Sequence, residues 1–248
     1  MDTLTATAAS GMRSRLESLD MLANNLANSN TSGYKADEEA YQLYFGPDSN
    51  DGWGDTSSQT SSMPALGREW IDMSQGTLID TANMSDVALA GPGFFEVQTS
   101  SGTLYTRTGS FRVSKKHQLT TPEGYPLLGV GGRPIPLDPE QPWTVSRNGT
   151  VTQSGAAVGT IQIVTTNSKG GLVKRGGTYF ASVPGNTMSP VADPGLVQGK
   201  VEGSNVPAPQ AAVKLVGVMR QFEMLQKAVR MAADMEKQSV EQVAKVTS

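Results

Sequence analysis

Both ends of this chain carry an apolar seam at helical spacing, and neither end can cover its own seam. Toward the N-terminus Thr5, Ala9, Met12, Leu16, Leu19, Ala23 and Leu26 follow alternating steps of four and three residues. Toward the C-terminus Leu215, Val218, Phe222, Leu225, Val229 and Ala232 do the same. These steps set the apolar side chains along one narrow line of a helix, the pattern of a coiled-coil seam. Each seam needs a partner, and the other end of the chain is the first candidate, in the same molecule or in the next one. The seam therefore admits two readings: a helix–helix core within one chain, and a surface that orders and joins chains on assembly.

Glycine, proline and aromatic residues show where helix gives way to strand. Of the 27 Gly, only Gly11, Gly33 and Gly217 fall within residues 1–35 or 204–248. Of the 14 Pro, none precedes Pro47, and only Pro207 and Pro209 lie beyond residue 203. Among the aromatics only Phe222 lies outside 34–180. The spacing predicts a first helix from about Leu4 to Ala27, stopped by Asn28-Ser29-Asn30-Thr31-Ser32-Gly33. Short polar side chains there compete with the helical backbone, and Gly permits a positive φ. A last helix is expected from near Pro207, since Pro is tolerated in a first turn, to about Val246.

The middle reads as strands and turns. Phe95 and Val97 alternate with Phe94 and Glu96, and Ser101-Gly102 turns the chain into Thr103-Leu104-Tyr105. Asn148-Gly149 between Val145 and Val151 is a hairpin signal. The expected fold is α+β: terminal helices (1–35 and 204–248) paired as a discontinuous coiled-coil rod, an extended connector (36–75), and a central antiparallel sandwich or barrel-like β-domain (76–203).

Composition excludes several functions. The net charge of −3 and pI near 5.3 offer no basic stripe for nucleic acid. No apolar run approaches a membrane span. Met1-Asp2-Thr3-Leu4 lacks the basic and apolar regions of a cleavable signal peptide. With no Cys and one His, a metal cluster of usual ligand spacing cannot be built. Asp48, Asn50, Asp51 and Asp55 invite calcium, but the Gly falls one position early for an EF-hand loop and Gln59 stands where the closing Glu belongs. His117 follows Lys115-Lys116 in a turn, and Gly129-Val130-Gly131-Gly132 lacks the strand and helix of a phosphate loop. Nothing local brings Glu96 and Asp138 together as a hydrolytic pair. No catalytic residue, cofactor site or metal site is expected.

Three segments carry a resemblance. Ala23-Asn24-Asn25-Leu26-Ala27-Asn28 through Gly33-Tyr34-Lys35 resembles the N-terminal signature of the flagellar rod and hook family. Gly91-Pro92-Gly93-Phe94-Phe95-Glu96-Val97, then Tyr105-Thr106-Arg107, resembles its central motif. Glu202-Gly203-Ser204-Asn205-Val206 and Arg220-Gln221-Phe222-Glu223-Met224 resemble its C-terminal signature. The length suits a rod subunit better than a hook subunit. The resemblance implies a structural subunit of the bacterial basal body, exported by the flagellar type III apparatus without a cleavable signal. Such a subunit forms a homo-oligomer within a helical tube and meets other rod subunits, proximal and distal, in the periplasm.

The residues leave other readings open. Asn24, Asn25 and Asn28 either stop the first helix or fix register from a buried position. A secreted carbohydrate-binding or hydrolytic β-domain with helical flanks, and a helical adaptor for another protein, are the competing functions.

Overall fold

The computed structural model describes residues 3–45, 62–166, 168 and 170–246. The Asp48–Asp55 cluster weighed for calcium lies outside them. In chain order the elements are α1 (Thr3–Ala27), β1 (Asp37–Phe45), β2 (Ser62–Ile71), β3 (Leu78–Asp80), β4 (Val87–Leu89), β5 (Phe94–Thr99), β6 (Gly102–Thr106), β7 (Arg112–Val113), β8 (Leu119–Thr120), β9 (Leu128–Gly129) and β10 (Arg133–Pro134). There follow β11 (Trp143–Val145), β12 (Thr150–Gln153), β13 (Ala156–Thr160), β14 (Ile163–Thr165), β15 (Leu172–Lys174), β16 (Tyr179–Ser182), β17 (Ser189–Pro190), β18 (Leu196–Gln198), β19 (Lys200–Glu202) and α2 (Ala208–Val246). The chain is thus α+β, with helices at both ends and an antiparallel β-body between them.

Two compact units divide it. Unit 1 comprises Met1–Leu26, Asp37–Trp70 and Ala208–Ser248; unit 2 comprises Ala27–Ala36 and Ile71–Pro207. The expected connector at 36–75 holds regular structure, since β1 and β2 form a two-stranded sheet. Tyr41, Leu43 and Phe45 are good strand formers, and the Gly/Ser/Asp-rich run after them masked that signal in the sequence.

In unit 1, the most buried side of α1 is polar. Ser14, Ser18, Leu22 and Asn25 are buried on one face. The Ser18 hydroxyl reaches the Glu39 carboxylate, 2.8 Å to Oε2. Asn25 makes two bonds to the backbone of Asp37, donating from Nδ2 to its carbonyl (2.8 Å) and accepting its amide at Oδ1 (3.0 Å). Its side chain thereby stands in for a neighbouring strand at the start of β1. The seam residues lie on another face: Leu16 is 47% exposed, Ala9 and Ala23 are exposed, and Met12, Leu19 and Leu26 are half-buried. On α2, Leu215, Val218, Phe222, Leu225 and Val229 are half-buried, whereas Val213, Val216, Met219, Met224, Met231 and Met235 are exposed. The two helices meet at Gly11, where a Cβ would lie 3.8 Å from Leu225 Cδ1.

Unit 2 is built on a six-stranded antiparallel sheet in the order β15-β16-β6-β5-β14-β17. A three-stranded sheet, β11-β12-β13, lies in the same unit, its first turn made at Asn148-Gly149 with Gly149 at φ 91°. The alternation along β5 sorts its side chains. Phe95 and Val97 join the main core with Val87, Leu89, Leu119, Leu127, Trp143 and Val151. Phe94 enters a second cluster with Tyr105, Val164, Leu172 and Phe180. Residues 27–36 and the stretch from Ile71 to Pro207 belong to this unit.

Candidate functional site: a buried ionic clamp

The three signature segments converge inside unit 2. Gly33 initiates the approach with φ 73°, and a Cβ on it would come within 2.4 Å of the Thr108 amide nitrogen. Only glycine lets the N-terminal segment lie this close to the backbone that follows Arg107. Its amide donates to the Glu202 carbonyl at 2.7 Å. Tyr34 is then fully buried, with Lys174 Nζ 4.1 Å from its ring centroid.

Lys35 follows, and its side chain has no exposed surface. Its ammonium donates to Glu202 Oε1 and to the Ser74 carbonyl, both at 2.6 Å. Arg107 Nη1 donates to the other carboxylate oxygen, Oε2, at 3.0 Å, and the Gly76 amide donates to Oε1 at 2.9 Å. One carboxylate thus holds two cations and one backbone amide. The Arg107 guanidinium also lies 5.3 Å from the Phe94 ring centroid, while its Nε is buried without a partner. Burial pushes the Lys35 ammonium below the ordinary lysine value, opposed by its bond and charge interaction with Glu202. Burial likewise lowers Arg107, again opposed by Glu202.

Asn205 secures the same place on its other side. Its Oδ1 accepts the Ala36 amide at 2.7 Å, and its Nδ2 donates toward the Asp72 carbonyl (2.9 Å) and Ser74 Oγ (3.1 Å). Val206 is buried beside it in sequence. Chain segments 33–36, 72–76, 107 and 202–205 are therefore tied together. Three of them, 33–36, 72–76 and 202–205, lie close to where the chain passes in or out of unit 2, and Arg107 comes from its interior.

Of the signature residues, Gly33, Tyr34, Arg107, Asn205 and Val206 belong to the clamp or adjoin it. Phe94, Phe95 and Tyr105 pack in the two cores, Phe94 also meeting Arg107, and Gly93 precedes them at the start of β5. Asn25 ties to Asp37, and Asn28 Oδ1 accepts the Thr31 hydroxyl at 3.1 Å just past α1; Asn24 is exposed. Lys35 and Glu202 lie inside the signature runs, but no local pattern in the sequence distinguishes them, and nothing in it marks Ser74 or Gly76. The clue available was a charged residue in each run, in a chain only 17% charged.

The other candidates are apart from this place. His117 is an exposed turn residue with φ 58°. Asp138 Oδ1 accepts the Glu140 amide, and burial raises the Glu96 carboxyl above its ordinary value. Among the described residues, no group of three or more His, Asp or Glu is placed to hold a metal ion, and no helix is long and apolar enough to cross a membrane. The clamp offers bonds and packing, with no exposed nucleophile or acid–base pair.

A β-body whose two ends are clamped together and continue into long helices with exposed apolar residues defines a structural building block. Residues 6–35 match the family described as flagella basal body rod protein, 88–153 the flagellar hook protein FlgE/F/G D1 domain, and 197–242 the flagellar basal body rod FlgEFG protein C-terminal family. The chain is 31% identical over 92% of both chains to flagellar basal-body rod protein FlgF of Caulobacter vibrioides. It is 32% identical to FlgG of Agrobacterium fabrum, over 93% of this chain and 95% of that one. FlgF of Escherichia coli is 31% identical over 94% and 95%. The chain belongs to the flagellar basal-body rod protein family. It is a structural subunit of the rod and not an enzyme.

Proposed function

We propose that this subunit joins the rod through its terminal helices, while unit 2 contributes to the outer layer of the rod and the clamp holds unit 2 closed under load. The observation behind this is the apolar surface on both helices, with Leu16 47% and Met224 61% exposed. Burying several such side chains contributes about 1.5–3 kcal/mol each, enough to order helices that are marginal alone. In this reading α1 and α2 pair as a discontinuous coiled coil, starting from their approach at Gly11 and Leu225, and line a helical tube of identical and related subunits. Rotation of the tube is passed on as torque for motility. The subunit reaches the periplasmic part of the basal body through the flagellar type III export apparatus and sits in the proximal rod beside other rod subunits. The similarity to relatives named FlgF supports that position, and the comparable similarity to FlgG supports the distal rod as the second reading.

The test is a charge on each seam. Leu19→Asp and Phe222→Asp put a carboxylate where assembly must remove water, costing several kcal/mol without a partner. Neither variant should be found in purified basal bodies, and cells carrying it should not swim. Unit 2 should keep the melting temperature it has in the unaltered protein. Normal incorporation of either variant would sink the proposal.

A further inference from the structure

We propose that residues 196–205 are a closing strap: unit 2 completes its fold only when this last segment docks, and Glu202 is the group that locks it. The strap supplies the outer partner of the two earliest strands of the unit. β18 and β4 form one two-stranded sheet, and β19 and β3 form another. Val87, Ala88 and Leu89 of β4 are almost completely buried, so lifting the strap strips this strand of its sheet partner and uncovers apolar surface that the folded unit hides. Leu196 leaves the main core at the same time. Gln198 releases three bonds: Nε2 to the Met84 and Trp143 carbonyls, and Oε1 from the Val145 amide.

The charges make the dependence sharper. Lys35 and Arg107 are both buried, and among the described residues Glu202 is the carboxylate bonded to both. Before the strap arrives the two cations have no shared anion, and burying them is costly. Segments 33–36 and 74–76 therefore stay undocked until Glu202 is in place. The separations are long: 167 residues from Lys35, 126 from Gly76 and 95 from Arg107. Hairpins such as β5–β6 close over a turn of two residues and do not wait for the strap. The strap is a property of the isolated subunit, so its test stands apart from that of assembly through the helices.

Amide hydrogen exchange on the purified full-length protein reads this directly. In Glu202→Gln, the amides of Gly33, Gly76, Gly199 and Gly203 should exchange faster by on the order of a hundredfold or more, while those of β5 and β6 stay protected. The triple variant Lys35→Met/Arg107→Met/Glu202→Leu, which replaces the charges with apolar groups, should recover slow exchange at Gly33, Gly199 and Gly203, whose amides bond to backbone carbonyls, while Gly76 loses its acceptor and stays fast. Unchanged exchange at the strap in Glu202→Gln would overturn the proposal, as would a greater loss of protection in β5 and β6 than at the strap. Pulse labelling of the refolding unaltered protein gives a second reading that no variant can spoil. Protection in β5 and β6 should precede protection at Gly76 and Gly203, and simultaneous protection would count against the strap.

Discussion

The ammonium of Lys35 and the carboxylate of Glu202, 167 residues apart in the chain, lie 2.6 Å from each other with neither side chain exposed. A buried pair of this kind adds little over a well-packed apolar substitute, but its one-sided removal is severe. Arg107 makes the geometry asymmetric, because Glu202 bonds two cations and, among the described residues, is the carboxylate within bonding distance of each.

Removing the anion should therefore cost more than removing either cation. Glu202→Gln leaves two buried cations facing a neutral amide and should destabilise unit 2 by about 3–5 kcal/mol. Lys35→Met retains the Arg107–Glu202 bond and should cost clearly less. Urea denaturation of the two variants gives the comparison, and equal midpoints would contradict it.

Asn25→Ala should loosen the start of β1. The substitution removes one hydrogen bond from the amide and one from the carbonyl of Asp37, at about 0.5–1.5 kcal/mol each. Asn24→Ala, at an exposed position, serves as the control. Proteolysis near residue 37 should accelerate in the first variant and not in the second.

Where the chain is cut should decide whether the β-body survives. A fragment of residues 27–207 keeps Gly33, Lys35 and Asn205, whereas one of 36–203 loses all three. The shorter fragment should melt lower by on the order of 10 °C, or fail to show a cooperative transition. Circular dichroism on heating distinguishes the two.

Acid should reveal the bond from the Tyr179 hydroxyl to the Glu123 carboxylate. Partial burial raises the Glu123 carboxyl, but the Tyr179 bond and further hydrogen bonds outweigh it and hold the group below its ordinary value of 4.5. The unfolded chain then binds more protons than the folded one just below pH 4.5. The stability this bond contributes is present above that pH and is lost as pH falls through the folded value. Tyr179→Phe should melt lower than the unaltered protein at pH 7, and the gap should narrow on acidification. A gap of constant width would argue against the bond.

The helices were legible because their signals are local. Glycine and proline distribution placed them at about 4–27 and from Pro207, against Thr3–Ala27 and Ala208–Val246 in the structure. The hairpin at Asn148-Gly149 was legible for the same reason. The clamp was not. Its two ion pairs span 95 and 167 residues, and no periodicity connects Lys35, Arg107 and Glu202. The polar face of α1 was also hidden, since Ser14, Ser18 and Asn25 are buried by bonds that hydrophobic spacing does not register. The two-stranded sheet of β1 and β2 was obscured by the Gly- and Ser-rich run between its strands.

Ala36 and Asn205, bonded at 2.7 Å, bring the two ends of the β-body side by side. Everything between Ile71 and Glu202 is then a detour that returns to its starting point. Adding residues at an exposed turn, such as the open one at Gly131-Gly132, lengthens the detour and leaves the spacing of its two feet unchanged. A lineage can lengthen the body at such turns while the residues that close it, Arg107 among them, keep their places.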